Sequence, residues 1–301
     1  MNVVKRLISA NSSEILEMNA VELKQSIKAS EGRVVLSENV TIREPLVDDI
    51  TNSEIARAFG ADLILLNCFD VLAPKIYGLA DESENIITSL RHLIGCPIGV
   101  NLEPVDLKAQ MSENRLDISK GRQASIETVM QAEKLGFDFI CLTGNPGTGV
   151  SNQQIVEAIK IAKQNFSGLI IAGKMHGAGV SEAVVDLEAT SGFLEAGADI
   201  ILVPAVGTVP GFDEKQLKEV VKLVHQKDGL VLSAIGTSQE GSDVTTIKSI
   251  ALKNKICGVD IQHIGDAGYG GVAPVENIYE LSKVLRGIRH TVSVMARSIN
   301  R

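Results

Sequence analysis

Four times the chain repeats glycine, one further residue and aspartate just before a run of mostly apolar residues: Gly60-Ala61-Asp62, Gly136-Phe137-Asp138, Gly197-Ala198-Asp199 and Gly258-Val259-Asp260. The spacing from Gly136 to Gly197 and from Gly197 to Gly258 is the same, 61 residues. Four further apolar runs begin near Gly32, Gly95, Gly168 and Gly229, between the first set, and every run precedes a stretch of helical periodicity. Eight strand-then-helix units at a two-unit repeat predict a closed α/β architecture, the (βα)8 or TIM barrel, because an open doubly wound sheet has two edges and no reason to return to its start.

The expected strands are 33–38, 62–68, 97–103, 138–143, 168–174, 199–204, 230–236 and 259–264, rich in Val, Ile and Leu as parallel strands covered on both faces must be. Capping pairs mark helix starts: Asn19 with Glu22, Thr51 with Glu54, Ser151 with Gln154 and Asp213 with Gln216. No Pro- or Ser-rich linker interrupts the series. The chain is therefore expected to form one domain over 1–301, with an N-terminal helical extension at 1–31 and the barrel at 32–301. Its longest irregular stretch runs from Pro104 to Ile118, and loops of that length are commonly functional or mobile.

At 301 residues with a formal charge of −8 and no basic block, the chain offers no clustered Lys and Arg for nucleic acid. The start Met1-Asn2-Val3-Val4-Lys5-Arg6-Leu7 shows no secretory pattern, and no apolar run reaches the ~18 residues of a membrane helix. No membrane and a cytoplasmic location are the expectations. Cys68, Cys96, Cys141 and Cys257 lack metal-type spacing and fall in or beside strands, which predicts buried reduced thiols.

Side chains alternate between the inside of a barrel and its helix-facing side, so aligning the repeats sorts the polar residues. Aligned on Gly32, Gly95, Gly168 and Gly229, the odd strands place Glu38, Asn101, Lys174 and Ile235 together, with Val40, Glu103, His176 and Thr237 two residues on. The even strands place Asn67, Thr143, Pro204 and Gly265 together, above Leu65, Cys141, Leu202 and His263, and this parity selects His263 over Gln262. Barrel chemistry gathers at the C-terminal strand ends. Glu38, Asn67, Asn101, Glu103, Thr143, Asn145, Lys174, His176 and His263 are thus the candidate site. The Gly-x-Asp aspartates begin strands and belong to the opposite end, where satisfying backbone amides accounts for them.

Lys174, in Ala172-Gly173-Lys174-Met175-His176, admits two roles. Desolvated and neutral, it can attack a carbonyl to form a Schiff base; charged, it can bind a carboxylate or phosphate while paired with Glu103 or Glu38. His176 suits proton transfer near neutral pH, or a satisfied rim position. Glu38 and Glu103 flank Asn67, an oxygen set that would suit Mg2+ or Mn2+, unless an ion pair with Lys174 explains a carboxylate.

Glycine-rich loops follow strands four, seven and eight. Gly236, Thr237, Gly265, Gly270 and Gly271 occupy the usual phosphate position of barrels, with tight turns as the alternative explanation. Glu240, Asp243 and Asp266 put negative charge there, to be balanced by Lys174, Arg115, Lys120 or Arg122 if the loop after strand three folds over.

Glu38-Asn39, Thr-Gly-Asn-Pro-Gly-Thr-Gly at 143–149, Ala-Gly-Lys-Met-His at 172–176 and Gly-Asp-Ala-Gly-Tyr-Gly-Gly at 265–271 together resemble a bacterial barrel family without assigned chemistry, often labelled phosphoenolpyruvate phosphonomutase-like. The resemblance runs nearly the full length and implies a phosphoenolpyruvate-type substrate with Mg2+. The chain departs from the mutase and isocitrate lyase pattern: it has no Lys-Cys-Gly loop, and Asn67 and Asp70 stand where an Asp pair follows strand two.

The resulting expectation is an enzyme that acts on a small oxo-acid or phosphorylated, hence anionic, metabolite by lyase or isomerase chemistry. Lys174, His176 and Glu103 would be catalytic. Glu38, Asn67, Asn101, Thr143, Asn145 and His263 would bind substrate. The alternative is a non-catalytic metabolite-binding or sensor barrel, since fold does not fix function. Self-association into a homo-oligomer is compatible with the sequence.

Overall fold

A computed structural model of the chain describes residues 4–80 and 85–301. The first three residues of the N-terminal stretch read for a targeting pattern lie outside the described residues. Eight parallel strands close into a barrel in sequence order: β1 (Val34–Val40), β2 (Leu63–Asn67), β3 (Ile98–Leu102), β4 (Phe139–Leu142), β5 (Leu169–Gly173), β6 (Ile200–Pro204), β7 (Leu230–Ile235) and β8 (Ile261–Ile264). Two helices, α1 (Ser12–Leu16) and α2 (Ala20–Lys28), precede the barrel. One helix then follows each strand: α3 (Asn52–Ala58), α4 (Ile86–Ile94), α5 (Ile126–Leu135), α6 (Asn152–Asn165), α7 (Leu187–Ala196), α8 (Glu214–Gln226), α9 (Val244–Ile256) and α10 (Val275–Ala296). The (βα)8 barrel and every expected strand are present.

Helix starts follow the capping chemistry in the sequence. Asn19, Thr51 and Asp213 each accept the N–H three residues on and receive the reciprocal bond, and Ser151 accepts from Gln154. Each such cap satisfies an amide that the helix cannot.

The four Gly-x-Asp aspartates perform one shared task. Asp62, Asp138, Asp199 and Asp260 each accept the N–H at the start of the preceding odd strand, from Val35, Ile98, Ile170 and Val231, at 2.8–3.1 Å. Each returns its own N–H to that residue's carbonyl. The carboxylates are answered in turn by Arg286, Arg91, Lys24 and His225. They sit at the N-terminal end, away from the barrel mouth.

Two apolar clusters form the core. One lies between strands and helices. The other fills the barrel with Leu36, Leu65, Phe139, Cys141, Ile171, Met175, Leu202 and Leu232, and continues into Leu7, Ile15, Leu23 and Ile27 of the N-terminal extension, which seals the bottom. Gly99 is required inside, because a Cβ there would stand 2.1 Å from the Phe139 ring. All four cysteines are free, but Cys68 is only half-buried, unlike the other three, because it follows the last residue of β2 where the chain leaves the core.

The parity expected for the odd strands holds for β1 and β3 and shifts by one residue in β5 and β7. Glu38 pairs with Leu65, and Asn101 with Cys141, on the inner face. In β5 the inner residues are Leu169, Ile171 and then Met175, whereas Ala172 belongs to the outer cluster; in β7 Leu232 is inner and Ile235 outer. Gly32 and Gly95 stand three residues before Val35 and Ile98, whose N–H groups the strand-start aspartates accept, but Gly168 and Gly229 stand only two before the equivalent Ile170 and Val231. An alignment on glycine therefore misplaces the later pair.

Candidate active site

The C-terminal ends of β1 to β4 and of β8 carry a connected polar network. Glu38 accepts from Asn101 Nδ2 at 2.5 Å on one oxygen and contacts His263 Nε2 at 2.8 Å on the other. Asn101 Nδ2 also donates to Asn67 Oδ1, at 3.1 Å. Asn67 and Asn145 exchange bonds through both amides at 3.0 Å, and Asn67 Nδ2 donates to Asp266 Oδ2 at 2.8 Å. Every amide in this chain has its orientation fixed by its partners.

Above the network lies a cavity of about 410 Å3. Its lining includes Glu38, Asn67, Asn101, Thr143 and Asn145, together with His176, Gly236, Thr237 and Gly265. These are nine of the residues expected from sequence. Loop residues that were not taken as binding groups join them: Glu113, Glu240 and Asp266. Asp266 and Glu240 had been legible as charges in the glycine loops. Glu113 carried no local signal, since it arrives only because the loop after β3 folds over the mouth. That loop is pinned by Met111 bridging to Val180 and by Ser112 N–H donating to Gly179 O.

Other expected residues stand elsewhere. Lys174 does not line the cavity and pairs with neither Glu38 nor Glu103. Its ammonium, buried on the outer parity of β5, bonds Glu182 at 2.7 Å. Glu103 is 1 % exposed and fully engaged, by Arg122 at 2.7 Å and by the Asn145 backbone and side chain at 2.8 and 2.9 Å. His263 is buried beneath the cavity as the support of Glu38. Gly270 and Gly271 pack against the backbone of residues 44–46 and against Val40, as turn glycines do.

Charge shapes the acid–base character of the mouth. Burial, then the neighbouring Glu38 carboxylate, pushes Asp266 up to about 7, and its bond from Asn67 only partly opposes this. Burial also raises Glu240. His176 is held below its usual value by burial, which outweighs the pull of Glu38 and Glu103. Its Nδ1 accepts the Ala178 N–H at 3.0 Å, so the neutral ring carries its proton on Nε2. Burial pushes the Cys68 thiol up to about 11, against the effect of Arg122, which leaves it a poor nucleophile.

The Glu38–Glu103 pair considered for a divalent ion does not form. Both Glu38 oxygens and both Glu103 oxygens are taken, and among the described residues no group of three or more His, Cys, Asp or Glu side chains is arranged to hold a metal. The donor set as arranged does not fit Mg2+ or Mn2+.

In a closed (βα)8 barrel the C-terminal mouth, where this polar cavity lies, is the end at which barrel enzymes gather their active sites. The chain belongs to the family described as Domain of unknown function (DUF7916), whose model matches residues 8–301. No curated protein matches it in sequence. Among solved structures it is similar to a 2,3-dimethylmalate lyase of the PEP mutase/isocitrate lyase superfamily, at 11 % identity over 85 % of this chain and 81 % of that one, with a TM-score of 0.50. It is also similar to a proposed fructose-1,6-biphosphate aldolase from Coccidioides immitis, at 14 % identity over 93 % and 94 %, with a TM-score of 0.50. At these identities the likeness is one of fold. No helix among the described residues is long and apolar enough to cross a membrane.

Proposed function

We propose that this chain is an enzyme of lyase or isomerase type whose central step is a proton transfer to or from a small metabolite in the barrel mouth. The observation that carries the reading is the Glu38–Asn101–Asn67–Asp266 chain of hydrogen bonds along the cavity wall. It sets two carboxyl groups in different environments, the usual basis for dividing acid and base roles.

Asp266 is the proton-transfer group. A carboxyl that titrates near 7 is suited to both giving and taking a proton at neutral pH. Glu38 is the positioned partner carboxyl, held in one orientation by Asn101 and His263. The Asn67–Asn145 amide pair orients the substrate, and neutral His176 offers a donor from Nε2. Lyase-type chemistry accords with the fold likeness, which is an analogy. An anionic substrate finds little support in the lining. Lys174 and Arg122 are paired with Glu182 and Glu103, and Arg115 donates to Asp106 O. Phosphate binding by Gly236, Thr237 and Gly265 would rest on loop N–H groups without a basic side chain.

The test is hydrogen exchange in D2O. Purified protein is incubated with a panel of carbonyl and hydroxyl metabolites, and loss of C–H signals or formation of product is followed by proton NMR. At least one compound is expected to exchange or react, with a rate that falls about 100-fold or more in Asp266→Asn. Full retention of the rate in that variant would overturn the assignment.

A further inference from the structure

The cavity's charge balance narrows the substrate class, an inference that rests on the mouth being the reaction site proposed above. Four carboxylates line it, those of Glu38, Glu113, Glu240 and Asp266, and no Lys or Arg does. Glu38 and Glu240 both bear on the charge of Asp266, so three of these groups share one electrostatic neighbourhood.

An acidic cluster alone would mean little, but the lining also holds buried atoms without partners. They are Asn101 Oδ1, Thr143 Oγ1 and Glu240 Oε2, on residues 3 %, 2 % and 3 % exposed. Asn101 donates from Nδ2 to both Glu38 and Asn67, so its free atom is an acceptor. Glu240 Oε1 receives the Ala267 N–H at 3.2 Å, which leaves Oε2 open. Buried acceptors left empty are costly and call for a donor.

A ligand that matches this wall brings N–H or O–H donors and positive charge. The geometry points to a small metabolite that bears a protonated primary amine beside its hydroxyl or carbonyl groups, with the ammonium seated toward the Glu240 carboxylate and the remaining polar groups meeting the open atoms of Asn101 and Thr143. An ammonium has three donors and no acceptor, which suits the open oxygens of Asn101 and Glu240, while the Thr143 hydroxyl can also donate to a carbonyl or hydroxyl of the same ligand. A divalent ion is the poorer match, because it needs several uncommitted oxygens at short range, while Glu38 is engaged on both oxygens and Asp266 on one. At about 410 Å3 the cavity holds a metabolite of modest size.

Titration calorimetry on the full chain tests this with matched probes: glucosamine, galactosamine, ethanolamine and other primary amino sugars and amino alcohols, each beside its uncharged parent and its phosphate ester, and Mg2+ alone. At least one amine is expected to bind about tenfold or more tighter than its parent and its ester, and Glu240→Gln to weaken that amine by about tenfold or more. Should Glu240→Gln fail to fold, the nearly isosteric Thr143→Val is expected to weaken it roughly three- to tenfold. Equal or tighter binding of parent or ester, a response to Mg2+ alone, or no amine bound at about 10 mM, ten times the upper end of ordinary Michaelis constants, overturns the inference. Amine binding without proton exchange would leave this inference standing and remove the acid–base reading; exchange on an uncharged or anionic compound would do the reverse.

Discussion

Lys174 shows how far one residue of register can move a functional reading. The sequence places it among apolar neighbours near a run of site residues, and only the shorter approach from Gly168 into β5 turns it to the outer face, where Glu182 neutralises it. The same Glu182 oxygen accepts the Asn152 N–H at the start of α6, so the pair ties the β5–α7 loop to a neighbouring helix. Lys174→Ala should therefore cost stability, about 1–3 kcal/mol, because the lysine is buried and leaves a cavity while its partner Glu182 stays in contact with water, as measured by chemical denaturation. Borohydride should trap no Schiff base with oxo-acid substrates. A trapped adduct at Lys174 would contradict its placement. For Glu38, Asn67, Asn101 and Thr143 the simple alternation was enough, because the strands that carry them keep the register assumed. Glu113 was illegible, since its approach depends on loop-to-loop bonds that no local pattern encodes.

At the level of elements, the strand and helix order was readable because burial on both faces and capping chemistry leave strong local marks, as at Thr51 and Asp213. The Gly-x-Asp beat is a bottom-end fastening repeated on every even strand, and this explains why four aspartates recur without a catalytic part. One of these fastenings is sensitive to pH. The bond from His225 to Asp260 raises the His225 pKa above its ordinary 6.5, against some desolvation. A histidine raised in the folded state binds its proton more tightly there than when unfolded. Its contribution is full below pH 6.5 and is lost as pH rises through the folded value. His225→Gln should thus flatten the decline of the unfolding midpoint as pH rises from 6.5, leaving the wild type with the larger loss; parallel curves would show that the bond carries no such linkage.

On the scale of the whole molecule, the barrel interior is not closed by its own strands. Leu7, Ile15, Leu23 and Ile27 continue the apolar column at the bottom, while polar groups replace it at the top. The extension at 1–31 is legible as helical and as a segment that packs beneath or beside the barrel, whereas the side chains it meets are not, because they lie in strands far along the chain. Each such side chain contributes roughly 1.5–3 kcal/mol, and a domain's net stability is about 5–15 kcal/mol. Removal of residues 1–31 is expected to abolish cooperative unfolding in circular dichroism; an unchanged midpoint would mean that the barrel seals itself.

Division of labour at the other end, with Glu38 held in place by its neighbours and Asp266 as proton carrier, is the centre of the account, and it can be tested without knowing the substrate. Carbon-detected NMR of protein labelled at the aspartate carboxyl carbons, titrated from acid to alkaline pH, gives the answer directly. One resonance should titrate near pH 7 and be missing from the Asp266→Asn spectrum. If the resonance lost in that variant instead titrates near the ordinary aspartate value of 3.8, Asp266 is ionised throughout the neutral range and the proposed proton transfer has no carrier.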